Sequence, residues 1–216
     1  MVQPSAAESR PERRTHRERV ELSDRLMLDA AEALILEAGT GSTTLKEVGE
    51  RAGYSRGLAH ARFGSKEKLF LRLADRSRRA WVAEMLRAQG EAKGLSALSA
   101  RFDAVAAYVD RHPAAARVMY ILWFESVGSM SEMRNALRRF HEQARADIRS
   151  LIEEAAREGE IPRDVDAESF ALQFCATFFG LCYQWLVNPD AVAVLPQVAA
   201  YKSQTLRALN ATPPLA

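Results

Sequence analysis

The chain is poor in cysteine: Cys175 and Cys182 are its only two in 216 residues. Seven positions apart in one apolar segment, they fall on the same helix face about 10 Å apart by helical rise, too far to bridge. No disulfide framework is expected, and reduced thiols in a cytosolic, cytoplasmic setting follow. Neither thiol has a basic neighbour close in sequence to lower its pKa, so both read as buried and inert. Cys-x-x-Cys pairs, His-Glu-x-x-His, Gly-x-Ser-x-Gly and Gly-rich phosphate loops are all missing, which removes the usual carriers of zinc, acyl-transfer and nucleotide chemistry. A helical di-iron site needs Glu-x-x-His, whereas the residues three before His16, His60, His112 and His141 are Arg13, Gly57, Val109 and Arg138. No catalytic residue, metal or cofactor is expected, and the chain reads as a non-enzyme.

Charge of one sign is also lacking. With 30 Lys+Arg against 28 Asp+Glu, 48% hydrophobic and 27% charged residues, the composition is that of an ordinary globular protein and excludes disordered or collagen-like architecture. Met1 to Glu21 contains no apolar run of the secretory type, so export is not expected. Ser169 to Asn188 carries no charge and approaches bilayer-spanning length. Gln173, Thr177 and Gln184 interrupt it, and a helix buried on two sides by protein has the same all-round hydrophobicity, so no membrane partner is expected.

Runs that alternate apolar and polar residues are missing as well, and so is an Asn-Gly hairpin signal, which leaves an all-α fold class. Residues 1–22 are polar and Arg-rich, with Pro4 and Pro11 and no apolar face, and read as a mobile arm. Met27, Ala30, Ala31, Leu34, Ile35 and Ala38 recur at helical spacing before Gly39 and predict a first helix over 23–39. Thr44-Leu-Lys-Glu47 has capping-box spacing and opens a short second helix that ends at Ala52-Gly53. Ser55 caps a third to about Arg62, and Lys66 begins a long fourth to about Ala88. Further helices are expected near 95–110, 114–127, 130–158, 167–187 and 191–209. His112-Pro113, Gly128, Gly159, Pro162 and Asn188-Pro189 punctuate them. Ser129-x-x-Glu132 is the expected cap of the helix over 130–158.

Helix, tight Gly-containing turn, helix over residues 44–62 is the helix-turn-helix arrangement, whose second helix enters the DNA major groove. Leu45 and Val48 with Leu58 or Ala59 supply small apolar contacts, while Gly49 and Ala52 let two helices cross closely. The second helix then presents Arg56, His60 and Arg62 beside the small Gly57 and Ala61. Charge follows the motif: residues 1–80 hold 16 Lys+Arg and 12 Asp+Glu, net +4, whereas residues 81–216 hold 14 and 16, net −2.

The stretch Thr43-Thr-Leu-Lys-Glu-Val-Gly-Glu-Arg-Ala-Gly-Tyr-Ser-Arg-Gly-Leu-Ala-His-Ala-Arg-Phe-Gly-Ser-Lys-Glu-Lys-Leu69 resembles the DNA-binding signature of TetR-type transcriptional regulators. The resemblance covers about Arg25 to Arg72. It implies an N-terminal three-helix helix-turn-helix DNA-binding domain over 23–70, a connecting fourth helix over 66–88, and a larger C-terminal helical domain over 71–216 for effector binding and dimerisation. By resemblance, Thr43 and Thr44 meet phosphate at the start of the second helix and Lys66 does so from the fourth. Arg56, Gly57, Leu58, His60, Ala61 and Arg62 form the DNA-facing set on the recognition helix. His60 and Arg62 depart from the family pattern, which often has aromatic residues there.

In the C-terminal part, aromatic residues concentrate in Val118-Met-Tyr-Ile-Leu-Trp-Phe-Glu125 and around Phe170 to Trp185. The expected effector-binding set is Trp123, Phe124, Glu125, Gln173, Phe174, Phe178 and Tyr183, an apolar lining with a few orienting polar groups. The last two helices, within about 167–209, are apolar on more than one face and predict a homodimer. The expectation is a ligand-responsive regulator that binds a pseudopalindromic double-stranded operator as a dimer, with repression the mode implied by the resemblance, and that is released or modulated by a small apolar or amphipathic effector. The competing reading is a nonspecific architectural DNA-binding protein, with a helical ligand carrier as a third class.

Overall fold

A computed structural model describes residues 15–128 and 131–210. Its regular structure among the described residues is helical throughout: α1 (His16–Ser42), α2 (Leu45–Arg51), α3 (Arg56–Phe63), α4 (Lys66–Gln89), α5 (Gly94–Arg111), α6 (Pro113–Gly128), α7 (Ser131–Arg157), α8 (Ala167–Val187) and α9 (Val194–Asn210). The all-α expectation holds, and the helices from α2 to α8 begin and end within two residues of the expected positions. Ser129 and most of the 1–22 segment lie outside the described residues, so the expected cap of α7 does too.

Two helix starts move, each for a local reason, and α1 runs to Ser42, past the expected end at Gly39. Residues 16–22, expected within the arm, belong instead to α1, which starts at His16. Thr15 caps it with a reciprocal capping box: its side chain accepts from the Glu18 amide, and the Glu18 carboxylate accepts from the Thr15 amide at 2.7 Å. Arg17 and Glu21 then pair one turn apart at 2.8 Å. At the other end, α9 starts at Val194 and not at 191, since the Asn188 side-chain oxygen accepts from the Ala191 amide at 3.2 Å and holds a turn there.

Two apolar cores organise the described residues. The first joins Met27, Leu28, Ala31 and Ile35 of α1 to Val48, Ala59, Phe63, Leu69, Phe70 and Leu73, and it also takes in Val118 and Leu122 of α6 and Met133 of α7. The DNA-binding unit therefore rests directly on the second domain. The other core gathers Leu98, Phe102 and Val105 of α5, Ile148 and Ile152 of α7, Phe174, Cys175, Phe178 and Cys182 of α8, and Val194, Val198 and Leu209 of α9.

The amides at the start of α5 find no cap on Lys93. Instead they bond carboxylates near the end of α7: Gly94 N donates to Glu154 at 3.0 Å and Leu95 N donates to Glu160 at 2.7 Å. Gly94 sits at φ 49°, a backbone conformation that favours glycine, and a Cβ there would displace the Glu160 carboxylate, whose oxygen would lie 2.2 Å away. Helix α8 has the length and mean hydropathy, 1.4, to cross a membrane. Here Ala171, Phe174, Cys175, Phe178 and Cys182 turn one face of it into the core, while Leu172, Tyr183 and Val187 stay uncovered on the other.

Candidate nucleic-acid interface and effector domain

The recognition helix is built from its buried side outward. Ala59 and Phe63 of α3 are fully or nearly buried, and Gly49 of α2 lies so close that a Cβ there would come 3.0 Å from the Ser55 carbonyl oxygen and 3.3 Å from the Ala59 methyl. The connecting turn is fixed by Gly53 at φ 77° and by a 2.8 Å bond from Tyr54 N to Gly49 O. Ser55 caps α3 by accepting from Leu58 N at 3.2 Å. With that inner edge fixed, Arg56, Gly57, His60 and Ala61 stand exposed as two adjacent i, i+4 pairs, and Leu58 is half-buried beside them. Among the described residues, Arg56 and His60 have no ion pair or side-chain hydrogen bond. Two open donors, a glycine and an alanine on one exposed ridge suit close approach to a duplex and its phosphates.

Phosphate-facing groups flank the ridge. Thr44 is the exposed cap of α2, its hydroxyl accepting from Glu47 N at 3.2 Å, and the leading amides of that helix favour an anion beside it. Lys66 opens α4, donates one bond to Gly41 O at 3.2 Å and keeps two ammonium protons for other acceptors. Thr43, expected with this set, is instead fully buried, and its hydroxyl donates to Gly39 O at 2.9 Å. It shapes the turn and does not face solvent.

Arg62 is the second correction. Its guanidinium turns toward α1 and lies 3.6 Å from Asp24, which also takes Arg72 at 3.2 Å. The physical reason is register: position 62 is next to the buried Phe63, on the side of α3 nearest α1. Other arginines of the unit are engaged in the same way. Arg51 pairs with Glu37 at 2.5 Å, and Arg76 with Asp29 and Glu32 at 2.5 and 2.7 Å. These pairs weld α2, α3 and α4 to α1, and sequence reading missed them because their partners are up to 48 residues apart.

The expected effector residues divide into groups. Phe174 and Phe178 are nearly buried and pack edge-on to Phe102 at 5.0 and 5.5 Å, so they fill the core and do not line a space. Gln173 faces outward and donates to Ser169 Oγ at 3.0 Å. Glu125 accepts from the Thr40 hydroxyl of α1, which gives it a place between the domains. Trp123 does sit at an aromatic seam, 5.6 Å from both Phe140 of α7 and Phe179 of α8, and Phe124 meets Tyr183 at 5.3 Å on the exposed side of α6 and α8. His141 closes the seam with its ring 4.7 Å from Phe179. Burial, aided by Arg145, holds its pKa below the ordinary value. Behind it, Tyr120 donates to Phe179 O at 2.8 Å, and burial pushes its pKa up.

Glu84 of α4 was not singled out in the sequence. It is nearly buried, yet two guanidinium groups and an imidazole converge on it: Arg87 and Arg111 at 2.5 Å each and His112 at 3.3 Å. The Arg87 hydrogen bond leads the causes that hold its carboxyl below 4.5, against the opposing cost of burial. The group pins α4 to the corner between α5 and α6. Only the Glu84–Arg87 spacing was visible locally.

Comparisons with known proteins agree with this geometry. The N-terminal model of the TetR family of bacterial regulatory proteins matches residues 27–73, and the C-terminal model of BetI-type transcriptional repressors matches residues 94–209. The HTH-type transcriptional regulator TtgR of Pseudomonas putida is 27% identical over 207 residues, covering 94% of this chain and 98% of the relative. The HTH-type transcriptional repressor BepR of Brucella suis biovar 1 is also 27% identical, covering 92% of this chain and 97% of that one. In fold, the chain superposes on SmeT in its triclosan complex with a TM-score of 0.74 at 19% identity, covering 90% of this chain and 99% of SmeT. The two family models between them take in both domains, and the chain belongs to the TetR family of bacterial transcriptional regulators, with a C-terminal domain of the BetI-type repressor class.

Proposed function

We propose that this protein is a cytoplasmic, non-enzymatic transcriptional repressor that binds a pseudopalindromic operator as a homodimer and yields it to a small apolar or amphipathic effector. The observation that carries the reading is the exposed ridge Arg56, Gly57, His60 and Ala61, held rigid from behind by Ala59 and Phe63. Thr44 and Lys66 flank it with phosphate-directed groups. In this reading Arg56 and His60 address base edges or phosphates, and Gly57 and Ala61 let the backbone approach. Dimerisation through α8 and α9 sets the two ridges about one DNA turn apart. The named repressor relatives support repression as the mode. For the effector, the aromatic seam of Trp123, Phe140, His141 and Phe179, with Phe124 and Tyr183 outside it, offers the apolar surface with few polar groups that such ligands need.

The test is selection of bound fragments from random duplex DNA by the purified full chain at a fixed salt concentration. A recovered palindrome with two half-sites about one helical turn apart is expected. Recovery of fragments with no shared motif, with competitor DNA removing all preference, would mean the protein is a nonspecific architectural binder.

A further inference from the structure

Helix α1 is regular up to Gly39, which leaves helical space at φ 76°, ψ 172° before one more turn runs to Ser42. This turn is the structural parent of both phosphate-directed groups. Thr43 N donates to Thr40 O at 3.1 Å and the Thr43 hydroxyl donates to Gly39 O at 2.9 Å, which fixes the path into Thr44, the cap of α2. Lys66 Nζ donates to Gly41 O at 3.2 Å, so the start of α4 is referred to the same turn. Any shift of residues 39–43 therefore moves Thr44 and Lys66 together.

A side chain from the other domain reaches this turn. Thr40 is 3% exposed, and its hydroxyl donates to Oε1 of Glu125, 85 residues away on α6. The residues just before Glu125 face both ways. Ile121 and Leu122 pack into the DNA-binding core, while Trp123 and Phe124 pack on Phe140, Phe179 and Tyr183 of α7 and α8. A buried hydroxyl that loses its acceptor bears the desolvation cost of an unmade bond, so loss or displacement of the Glu125 carboxylate, itself on an exposed residue, disfavours the present place of Thr40.

We infer that Glu125 is a positioning residue for operator binding: by accepting from Thr40 it holds the 39–43 turn so that Thr44 and Lys66 meet the DNA backbone. It touches no DNA itself. The inference rests on the operator-binding reading above and assigns the means by which α6 controls that surface. Movement of α6 at its aromatic seam would be felt at Thr44 and Lys66 through this bond, beside the apolar contacts that Ile121 and Leu122 make with the same core.

The test uses the full chain and the selected palindromic duplex, with affinity read by fluorescence anisotropy over a series of salt concentrations. Glu125→Ala is expected to weaken binding about tenfold, the scale of one hydrogen bond to a charged group, and to flatten the dependence of log K on log salt by about one to two phosphates per dimer. Glu125→Gln keeps a carbonyl acceptor and is expected to bind as the parent does. Thr40→Val, which conserves volume, should reproduce Glu125→Ala, and the double variant should be no weaker than either single one. Lys66→Ala should cost less in the Glu125→Ala background than alone. A lower fraction of folded protein changes the titrated active concentration but leaves the salt slope as it was, so slope and non-additivity separate positioning from folding. If Glu125→Ala does not fold, Glu125→Gln, Thr40→Val and their pairing with Lys66→Ala carry the same comparison. Parental affinity and slope in both Glu125→Ala and Thr40→Val, or strictly additive losses, overturn the inference while leaving the operator reading intact; a parent chain that selects no duplex overturns the operator reading itself.

Discussion

Arg56 and Arg62 lie six positions apart on one short helix and have opposite surroundings. Arg56 is exposed and has no partner among the described residues, whereas Arg62 is half-buried against Asp24. The same atoms thus carry different consequences. Arg56→Ala is expected to leave the melting temperature unchanged, weaken operator binding, and lower the salt slope by about one for each phosphate it no longer neutralises. Arg62→Ala strands the Asp24 oxygen that already lacks a hydrogen-bond partner, so it should lower the melting temperature while the salt slope holds. Paired melting and titration curves on the two variants decide this. Both arginines look alike in the sequence, because residue type and helical position do not show that a carboxylate 38 residues earlier waits on the neighbouring helix. Thr43 and Thr44 differ for a similar reason: one closes the turn from inside and the other caps from outside. The two cysteines are a place where composition sufficed. Burial pushes both thiols up to about 11, so alkylation of the folded protein near neutral pH should be far slower than that of the unfolded chain, where thiols have their ordinary pKa near 8.5. Mass spectrometry after a timed alkylation measures the difference.

At the scale of elements, hydrophobic period, Gly punctuation and capping boxes place α2 through α8 almost to the residue, because each of those signals is local. The start of α1 rests on a polar signal, Thr15-x-x-Glu18, which a reading for apolar faces passes over. How elements are pinned together is less legible, since it depends on pairs that only folding brings together. Gly49 shows the packing side. Adding a methyl where the Ser55 carbonyl would lie at 3.0 Å should force α2 and α3 apart, and Gly49→Ala is expected to destabilise the unit by about 1–3 kcal/mol, as overpacking does, partly offset by the better helix propensity of alanine. Chemical denaturation reads that change. Glu84 shows the electrostatic side. Its folded pKa is depressed below 4.5, so its contribution is fully present above the unfolded value and is lost as pH falls through the folded one. The acid limb of a stability profile should therefore steepen below about pH 4 in the parent. In Glu84→Gln that part of the limb should flatten, and stability near neutral pH should fall because Arg87 and Arg111 lose their shared carboxylate. An unchanged acid limb would remove Glu84 from the account of how α4 is held to the α5–α6 corner.

At the scale of the whole molecule, the question is what covers the outer face of α8 and α9. Along α8 the exposed positions Leu172, Ala176, Tyr183 and Val187 recur at spacings of about one or two turns, opposite the buried Ala171, Phe174, Cys175, Phe178 and Cys182. On α9, Leu195, Ala199, Ala200, Ser203 and Ala208 are exposed and mostly small. A mostly apolar stripe on one helix beside mostly small residues on its neighbour suits a second copy packed as a four-helix bundle with twofold symmetry. A charge placed in such an interface must be desolvated without a partner, and a twofold axis places it there twice. Leu172→Glu, at a position 55% exposed in the single chain, should therefore cost the monomer little and the assembly much. Sedimentation of the parent is expected to give a dimer and that of the variant a monomer at the same concentration, with the helical signal retained. Operator affinity should then fall by about 10²–10⁴, because each ridge would bind its half-site without the effective concentration supplied by the other. The salt slope should fall toward half the parental value, since half as many phosphates are neutralised per binding event. A Leu172→Glu chain that still sediments as a dimer would place the interface elsewhere on the molecule, and a monomer with parental operator affinity would mean that the two half-sites do not depend on being joined.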